Sequence, residues 1–242
     1  MTTTQQLIAP GWRLVAKISA FTWIAWAIVL TIAIGALEPF ILIFAGIPIA
    51  AWAFTLWRPG RVTYTIFGVL GVLSILLNLP FILEDLAHPE SAFGFNTTLA
   101  PLLASLLMVG VGVAVWRPLS DRSASRVWMA ASAVFVIGLV VSIGFALGLE
   151  DDVAVAGDVR LVAEKAEWDP VSVEAAAGTV GFHIENKDPI RHTFTIEALD
   201  IDLELPASTD RRIEFVAPAG SYDFICSVPG HENMTGTIVI DG

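Results

Sequence analysis

Charge is scarce in this chain of 242 residues: 15% are Asp, Glu, Lys or Arg, against 55% hydrophobic. A soluble domain carries about 25% charged residues, which argues against a simple cytosolic globule and more firmly against a disordered chain. Cysteine is rarer still, with Cys226 alone. Of the four histidines only His88 falls in the first 149 residues, so that half lacks the paired ligands a membrane haem domain would use. Ionisable residues are missing from the middle of every long apolar run, and no proton relay or ion path is legible there.

The charge that exists is divided unevenly. Residues 1–149 carry seven Lys/Arg and five Asp/Glu, for +2, while 150–242 carry six and nineteen, for −13. The overall −11 therefore averages a greasy, nearly neutral part with a strongly acidic one. Five stretches are long enough to cross about 30 Å of hydrocarbon: roughly Ile18–Leu37, Phe40–Trp57, Val62–Leu83, Thr97–Trp116 and Val127–Leu149. With five spans, Arg13, Lys17, Arg58, Arg61, Arg117, Arg122 and Arg126 all fall on one side. The positive-inside rule then places the N-terminus inside and the acidic part outside.

The first apolar run is a full span, so it reads as an uncleaved signal-anchor and not as a signal peptide. Trp12, Trp57, Trp116 and Trp128 sit at expected interfaces and read as belt residues. Asn78, just before Leu79-Pro80, is the most polar mid-span residue, suited to a helix–helix hydrogen bond or to supporting a kink. Trp57-Arg58-Pro59 and Trp116-Arg117-Pro118 echo each other, although their surroundings do not align. Nothing in this half reads as catalytic.

After a linker at 150–157 the pattern changes to short alternating runs, as in Val180-x-Phe182-x-Ile184 and His192-x-Phe194-x-Ile196. Pro and Gly turns separate them. Seven or eight such runs in about 90 residues predict an antiparallel sandwich over 158–242. Its chemistry lies in Cys226-Ser227-Val228-Pro229-Gly230-His231-Glu232-Asn233-Met234. Alternation points Cys226 inward, and the Pro-Gly turn returns His231 and Met234 toward it. His192 heads another strand. Two imidazoles, a thiolate and a thioether form the donor set of a mononuclear electron-transfer copper site. Zinc competes for Cys-His-His, but Met is a poor zinc ligand and copper outranks zinc in affinity.

Residues from about Val159 to Gly242 resemble the cupredoxins, the plastocyanin- and azurin-like type 1 copper proteins. The matching features are Trp168-Asp169-Pro170, Asn186-x5-His192 and Tyr222-x-Phe224-x-Cys226-x4-His231-x2-Met234-x-Gly236. The resemblance implies a Greek-key sandwich holding one copper per chain, with His192, Cys226 and His231 as strong ligands and Met234 on the axis. It also implies that Thr193 and Ser227 hydrogen-bond around the sulfur. His183 reads as an outward surface residue and His88 as a stray loop histidine. Glu197, Asp200, Asp202 and Glu204 form an acidic cluster, either solvated or steering a basic partner.

The expected molecule is thus a five-helix multi-pass membrane domain followed by an extracytoplasmic copper sandwich. Its expected role is to carry single electrons between partners such as a c-type cytochrome or a copper oxidase. The alternative is storage, delivery or sensing of copper at the membrane. No catalytic residue and no nucleic-acid partner are expected. Membrane lipid is the other contact.

Overall fold

A computed structural model describes residues 7–242. Six helices precede nine strands, and the chain folds as two compact units. One unit comprises the residues up to Leu86 together with Asn96–Val140, and the other comprises Ala87–Phe95 and Val141–Gly242.

The helices are α1 (Pro10–Ile34), α2 (Pro39–Trp57), α3 (Arg61–Leu77), α4 (Leu79–Ala87), α5 (Ala92–Ala114) and α6 (Asp121–Leu147). Both α1 and α2 start with proline, whose missing N–H costs nothing in a first turn. Gly35, at φ 76°, ends α1 in the left-handed conformation that glycine adopts freely. Four helices are long and apolar enough to cross a membrane, or five if α3 and α4 form one bent span.

That bend corrects the expectation of one continuous helix over Val62–Leu83. The chain breaks at Asn78 and turns by 62°. Pro80 has no N–H to continue α3, so it sits in the first turn of α4, where none is required. Asn78 supports the break, its amide donating to the Ser74 carbonyl at 2.8 Å. Pro48, by contrast, lies within an unbroken α2.

Trp12 departs from the belt expectation. It is 2% exposed and packs in the bundle core with Val15, Trp23, Phe67, Met108 and Val111. Trp57 and Trp116 remain largely exposed. Helices α3 and α5 meet through glycine: a Cβ on Gly112 would lie 2.8 Å from the Gly68 Cα, and one on Gly71 would lie 2.6 Å from the Ser105 carbonyl oxygen. Lipid tails are as apolar as leucine, so such helices associate by close van der Waals packing, which small residues permit. Ser19 adds a hydrogen bond from α1 to the Ala104 carbonyl at 3.0 Å.

The strands are β1 (Val159–Glu164), β2 (Glu167–Asp169), β3 (Ser172–Ala176), β4 (Gly178–Asn186), β5 (His192–Ile196), β6 (Ile201–Leu205), β7 (Asp210–Ala217), β8 (Gly220–Ile225) and β9 (Thr235–Asp241). They form one sheet ordered β2-β1-β4-β7 and a second ordered β3-β9-β8-β5-β6. Pairing is mixed and not wholly antiparallel, because β1 runs parallel to β4 and β3 parallel to β9. Each parallel pair joins strands separated by excursions into the other sheet, which alternation cannot reveal. The core between the sheets is aromatic. Trp168, Phe182, Phe194, Phe215 and Phe224 form a chain of rings with centroids 4.9 to 6.1 Å apart.

The segment before β1 is fastened to the edge strand β7. Asp152 N–H donates to the Asp210 carbonyl, Arg212 N–H to the Asp152 carboxylate, and the Arg212 guanidinium grips Asp158 with two 2.9 Å bonds. This cover changes the reading of His183. It does face away from the core, but its side chain is only 12% exposed, with Nε2 3.1 Å from the Asp152 carbonyl oxygen.

The glycine contact between α3 and α5 yields a direct test. Gly112→Val must push the helices apart, costing about 1–3 kcal/mol by overpacking. Thermal unfolding of the detergent-solubilised protein should show a lowered midpoint, whereas Gly46→Ala, where a Cβ meets nothing within 4 Å, should not.

Candidate metal centre

Strand alternation places the first two donors. Phe224 and Cys226 share the inward face at the end of β8, and β5 runs beside it, bringing His192 to the same end of the second sheet. The chain after Cys226 then doubles back. Gly230, at φ 90°, permits the turn, and three backbone bonds close it: His231 N–H to Val228, Met234 N–H to His231 and Cys226 N–H to Met234, at 2.8 to 3.0 Å. The Trp168 indole N–H also donates to the Met234 carbonyl at 3.2 Å.

Three donor atoms converge as a result. His192 Nδ1 lies 3.2 Å from His231 Nδ1, and Cys226 Sγ lies 3.7 Å and 3.5 Å from them. The circle through these atoms has a radius of about 2.0 Å, close to the bond lengths nitrogen and sulfur donors make to a divalent transition metal. Among the described residues no other group of three His, Cys, Asp or Glu side chains could hold a metal. His192 and Cys226 are buried and His231 half-buried. Met234 is 1% exposed and belongs to the same apolar cluster as Cys226 and Val228. All four sequence-derived candidates therefore lie at one end of the sandwich. His88 takes no part and pairs with Glu90 at 2.9 Å.

The surroundings prepare these atoms for a cation. Thr193 N–H donates to Cys226 Sγ at 3.4 Å. The Thr193 hydroxyl lies 2.9 Å from the Ser227 hydroxyl and accepts the Ser227 N–H at 2.8 Å, tying β5 to the ligand loop. So it is the backbone of Thr193, and not its hydroxyl, that reaches the sulfur. Burial alone pushes the Cys226 thiol up. Contacts with His192 and His231 and N–H groups of Thr193 and Val228 outweigh it and bring the thiol from 9.0 down to about 6. A thiolate is therefore available near neutrality.

Asp188 completes the arrangement and was not anticipated. Its carboxylate lies 2.8 Å from His192 Nε2, with only 10% of the side chain exposed. It also accepts the N–H groups of Lys165 and Ala166 at 2.7 and 2.9 Å. Those residues form the tight turn between β1 and β2, at φ 57° and 55°. Burial pushes Asp188 up, but His192 and the two N–H groups hold its carboxyl below the usual range. Burial pushes His192 down, and Asp188 with Cys226 reverses that, leaving the imidazole raised. With Nε2 committed to a carboxylate, Nδ1 is the nitrogen that faces the cluster. The available signal was the spacing Asp188-x3-His192, hidden because Asp188-Pro189 also reads as a turn.

The family comparison agrees with this geometry: residues 134–240 match the cupredoxin-like domain model. The C-terminal part of this chain is a cupredoxin-like domain. Similar solved structures include amicyanin from Paracoccus versutus, at 19% identity over 36% of this chain and 85% of that one, TM-score 0.31. A reduced amicyanin mutant and a Cu(I) form of another mutant match at 17% identity over 36% of this chain and 86% of theirs, each with TM-score 0.31. No curated protein matches the chain. The matched region leaves the helices before residue 134 uncovered.

The donor chemistry of the cupredoxin domain fits copper: one soft thiolate, two imidazoles and a buried thioether nearby, with no carboxylate among the converging atoms. Acidic side chains around it are partly engaged within the domain. Glu204 pairs with the buried Arg191 at 2.6 Å, and Asp202 accepts the Thr195 hydroxyl at 2.7 Å.

Two outcomes follow from the hydrogen bonds. Asp188→Ala should lower copper affinity by about 10–100-fold, measured by competition with a chromophoric chelator. In the metal-free protein the thiolate absorbance should rise with a midpoint near pH 6, and not near the 9.0 of a free thiol. The signal should vanish in Cys226→Ser.

Proposed function

We propose that this chain is a membrane-tethered type 1 copper protein that passes single electrons between redox partners outside the membrane. The observation that carries the reading is the triangle of His192 Nδ1, His231 Nδ1 and Cys226 Sγ, with sides of 3.2–3.7 Å. His192, Cys226 and His231 serve as the strong ligands and Met234 as the weak fourth. Bound copper supplies a one-electron couple between Cu(I) and Cu(II).

What the chain contributes is rigidity. His192 is fixed by Asp188, Cys226 by the Thr193 N–H, and His231 and Met234 by the closed loop they share. Donors that cannot spread apart need little rearrangement when the metal changes charge, which favours rapid exchange. Half-buried His231 is the side through which an electron enters or leaves. Four protein donors, His192, Cys226, His231 and Met234, would leave copper no position for a substrate, and Asp188 is spent on orienting His192, which supports a carrier over an enzyme. A c-type cytochrome or a copper oxidase is the kind of partner that suits it. The positive-inside distribution supports an extracytoplasmic copper domain, and attachment to the membrane raises its effective concentration at membrane-bound partners.

Copper storage or delivery calls for ligands that open easily, and the cross-bracing of these four favours the carrier. The discriminating experiment loads the full-length protein in detergent with copper. An intense visible charge-transfer band should appear, bleach with reductant and be absent from Cys226→Ser. Electron exchange with a small redox dye should then outpace copper loss to a chelator. Rapid release with slow exchange would replace the carrier with a delivery protein.

A further inference from the structure

The cations of the helical unit gather at one end. Asp121 at the start of α6 accepts the Gly11 N–H at the start of α1. At the start of α3, the Arg61 guanidinium lies 5.5 Å from the centre of the Trp116 ring just beyond α5. The Trp116 indole donates to Thr65 at 2.7 Å. Arg58, at the end of α2, lies 4.9 Å from the centre of the Trp57 ring. Arg13, Lys17, Arg58, Arg61, Arg117, Arg122 and Arg126 all fall in these helix ends, and all are exposed. The one anion among them, Asp121, is engaged by Gly11.

None of the seven cations forms an ion pair among the described residues. Arg58 and Arg61 are further constrained. Thr63 braces the turn between them, accepting the Gly60 N–H at 3.0 Å and donating to the Arg58 carbonyl at 2.9 Å. Each guanidinium carbon lies over an indole ring, and among the described residues no hydrogen bond or ion pair engages its N–H groups. Those donors match two oxygens of a phosphate. Exposed tryptophans prefer the headgroup depth of a bilayer, so the donors lie where lipid phosphates are found.

We propose that this end of the bundle binds anionic phospholipid headgroups, centred on Arg58 and Arg61 over the rings of Trp57 and Trp116. The inference depends on the helices crossing a membrane and is independent of the metal centre. It deepens the positive-inside pattern into a site: two fixed guanidinium forks select a lipid that carries net negative charge over a zwitterionic one, whose own ammonium would meet unpaired cations.

The test uses the full chain in nanodiscs of phosphatidylcholine containing a minor fraction of brominated lipid, either phosphatidylglycerol or phosphatidylcholine. Bromine quenches neighbouring indoles, and the exposed Trp57 and Trp116 report most strongly on their surrounding lipid; Trp26, Trp52 and Trp128 are half-buried, and Trp12, Trp23 and Trp168 are buried. A cation near an anionic surface favours it by about fivefold. The apparent preference for phosphatidylglycerol should therefore be about fivefold or more, and should shrink as salt is raised. Arg58→Gln with Arg61→Gln should reduce it by at least about fivefold. Equal quenching by the two lipids in the unaltered protein overturns the proposal without reference to any variant. A preference untouched by the double substitution overturns the placement at Arg58 and Arg61.

Discussion

The hydrogen bond between Asp188 and His192 is the constraint on which the copper-domain geometry rests. A carboxylate with a tenth of its side chain exposed is costly unless every oxygen finds a donor. Asp188 finds three: His192 Nε2 and the N–H groups of Lys165 and Ala166. Those backbone donors exist only because both residues of the β1–β2 turn adopt left-handed dihedrals, a conformation each pays for in strain. The same carboxylate thus joins a hairpin of one sheet to a strand of the other. Asn186 extends the junction, accepting the Asp188 N–H and donating to Leu205 and Pro206 carbonyls at 2.9 to 3.0 Å. The ring of His192 has no freedom left, and its Nδ1 is delivered to the sulfur.

From that fixed point the remaining donors follow by local chain geometry. Phe224 and Cys226 obey strand alternation, and the Gly230 turn is closed by three backbone bonds of its own, to which Trp168 and Thr193 add contacts from outside the loop. This explains why the ligand set was legible in the sequence while its support was not. Cys226, His231 and Met234 lie within nine residues, a spacing the chain can display directly. His192 and Asp188 are joined to them only through tertiary structure. The strand β6 is obscured for a different reason: Ile201-x-Leu203-x-Leu205 alternates as well as its neighbours, but the intervening Asp202 and Glu204 make the segment read as an acidic cluster. They are the outward half of an ordinary half-buried strand.

In the helical part composition identified apolar helices, and the particulars came from single residues. Pro80 marks where the third stretch breaks, its absent N–H falling in the first turn of α4, where none is needed. Asn78, the most polar residue in mid-span, supplies a donor to the Ser74 carbonyl at that break. Trp12 shows the limit of interface reasoning. An indole near a helix start resembles a belt residue, yet a Cβ on Gly110 would come within 3.0 Å of it, and the ring fills the notch that glycine leaves. Small residues in a membrane helix therefore say as much about burial as large ones do, since the notch and the ring that fills it are read together.

Holding one small domain at a membrane requires about 20 apolar residues, far fewer than this chain devotes to its helices. The surplus is not loose hydrophobic mass. Gly68, Gly71 and Gly112 bring backbones into contact, Ser19 and Trp26 cross-link α1 to α5 at 3.0 and 2.8 Å, and Trp12 and Trp23 are packed out of reach of lipid. A bundle with such a core holds its helix ends in fixed relation, as a lone span cannot. What those ends hold together is a set of exposed cations at one end, two of them lying over indoles. Side chains on separate flexible loops would repel and disperse. Fixed on a rigid bundle, they sustain a concentrated positive surface, and that is a physical reason for several helices where one would anchor.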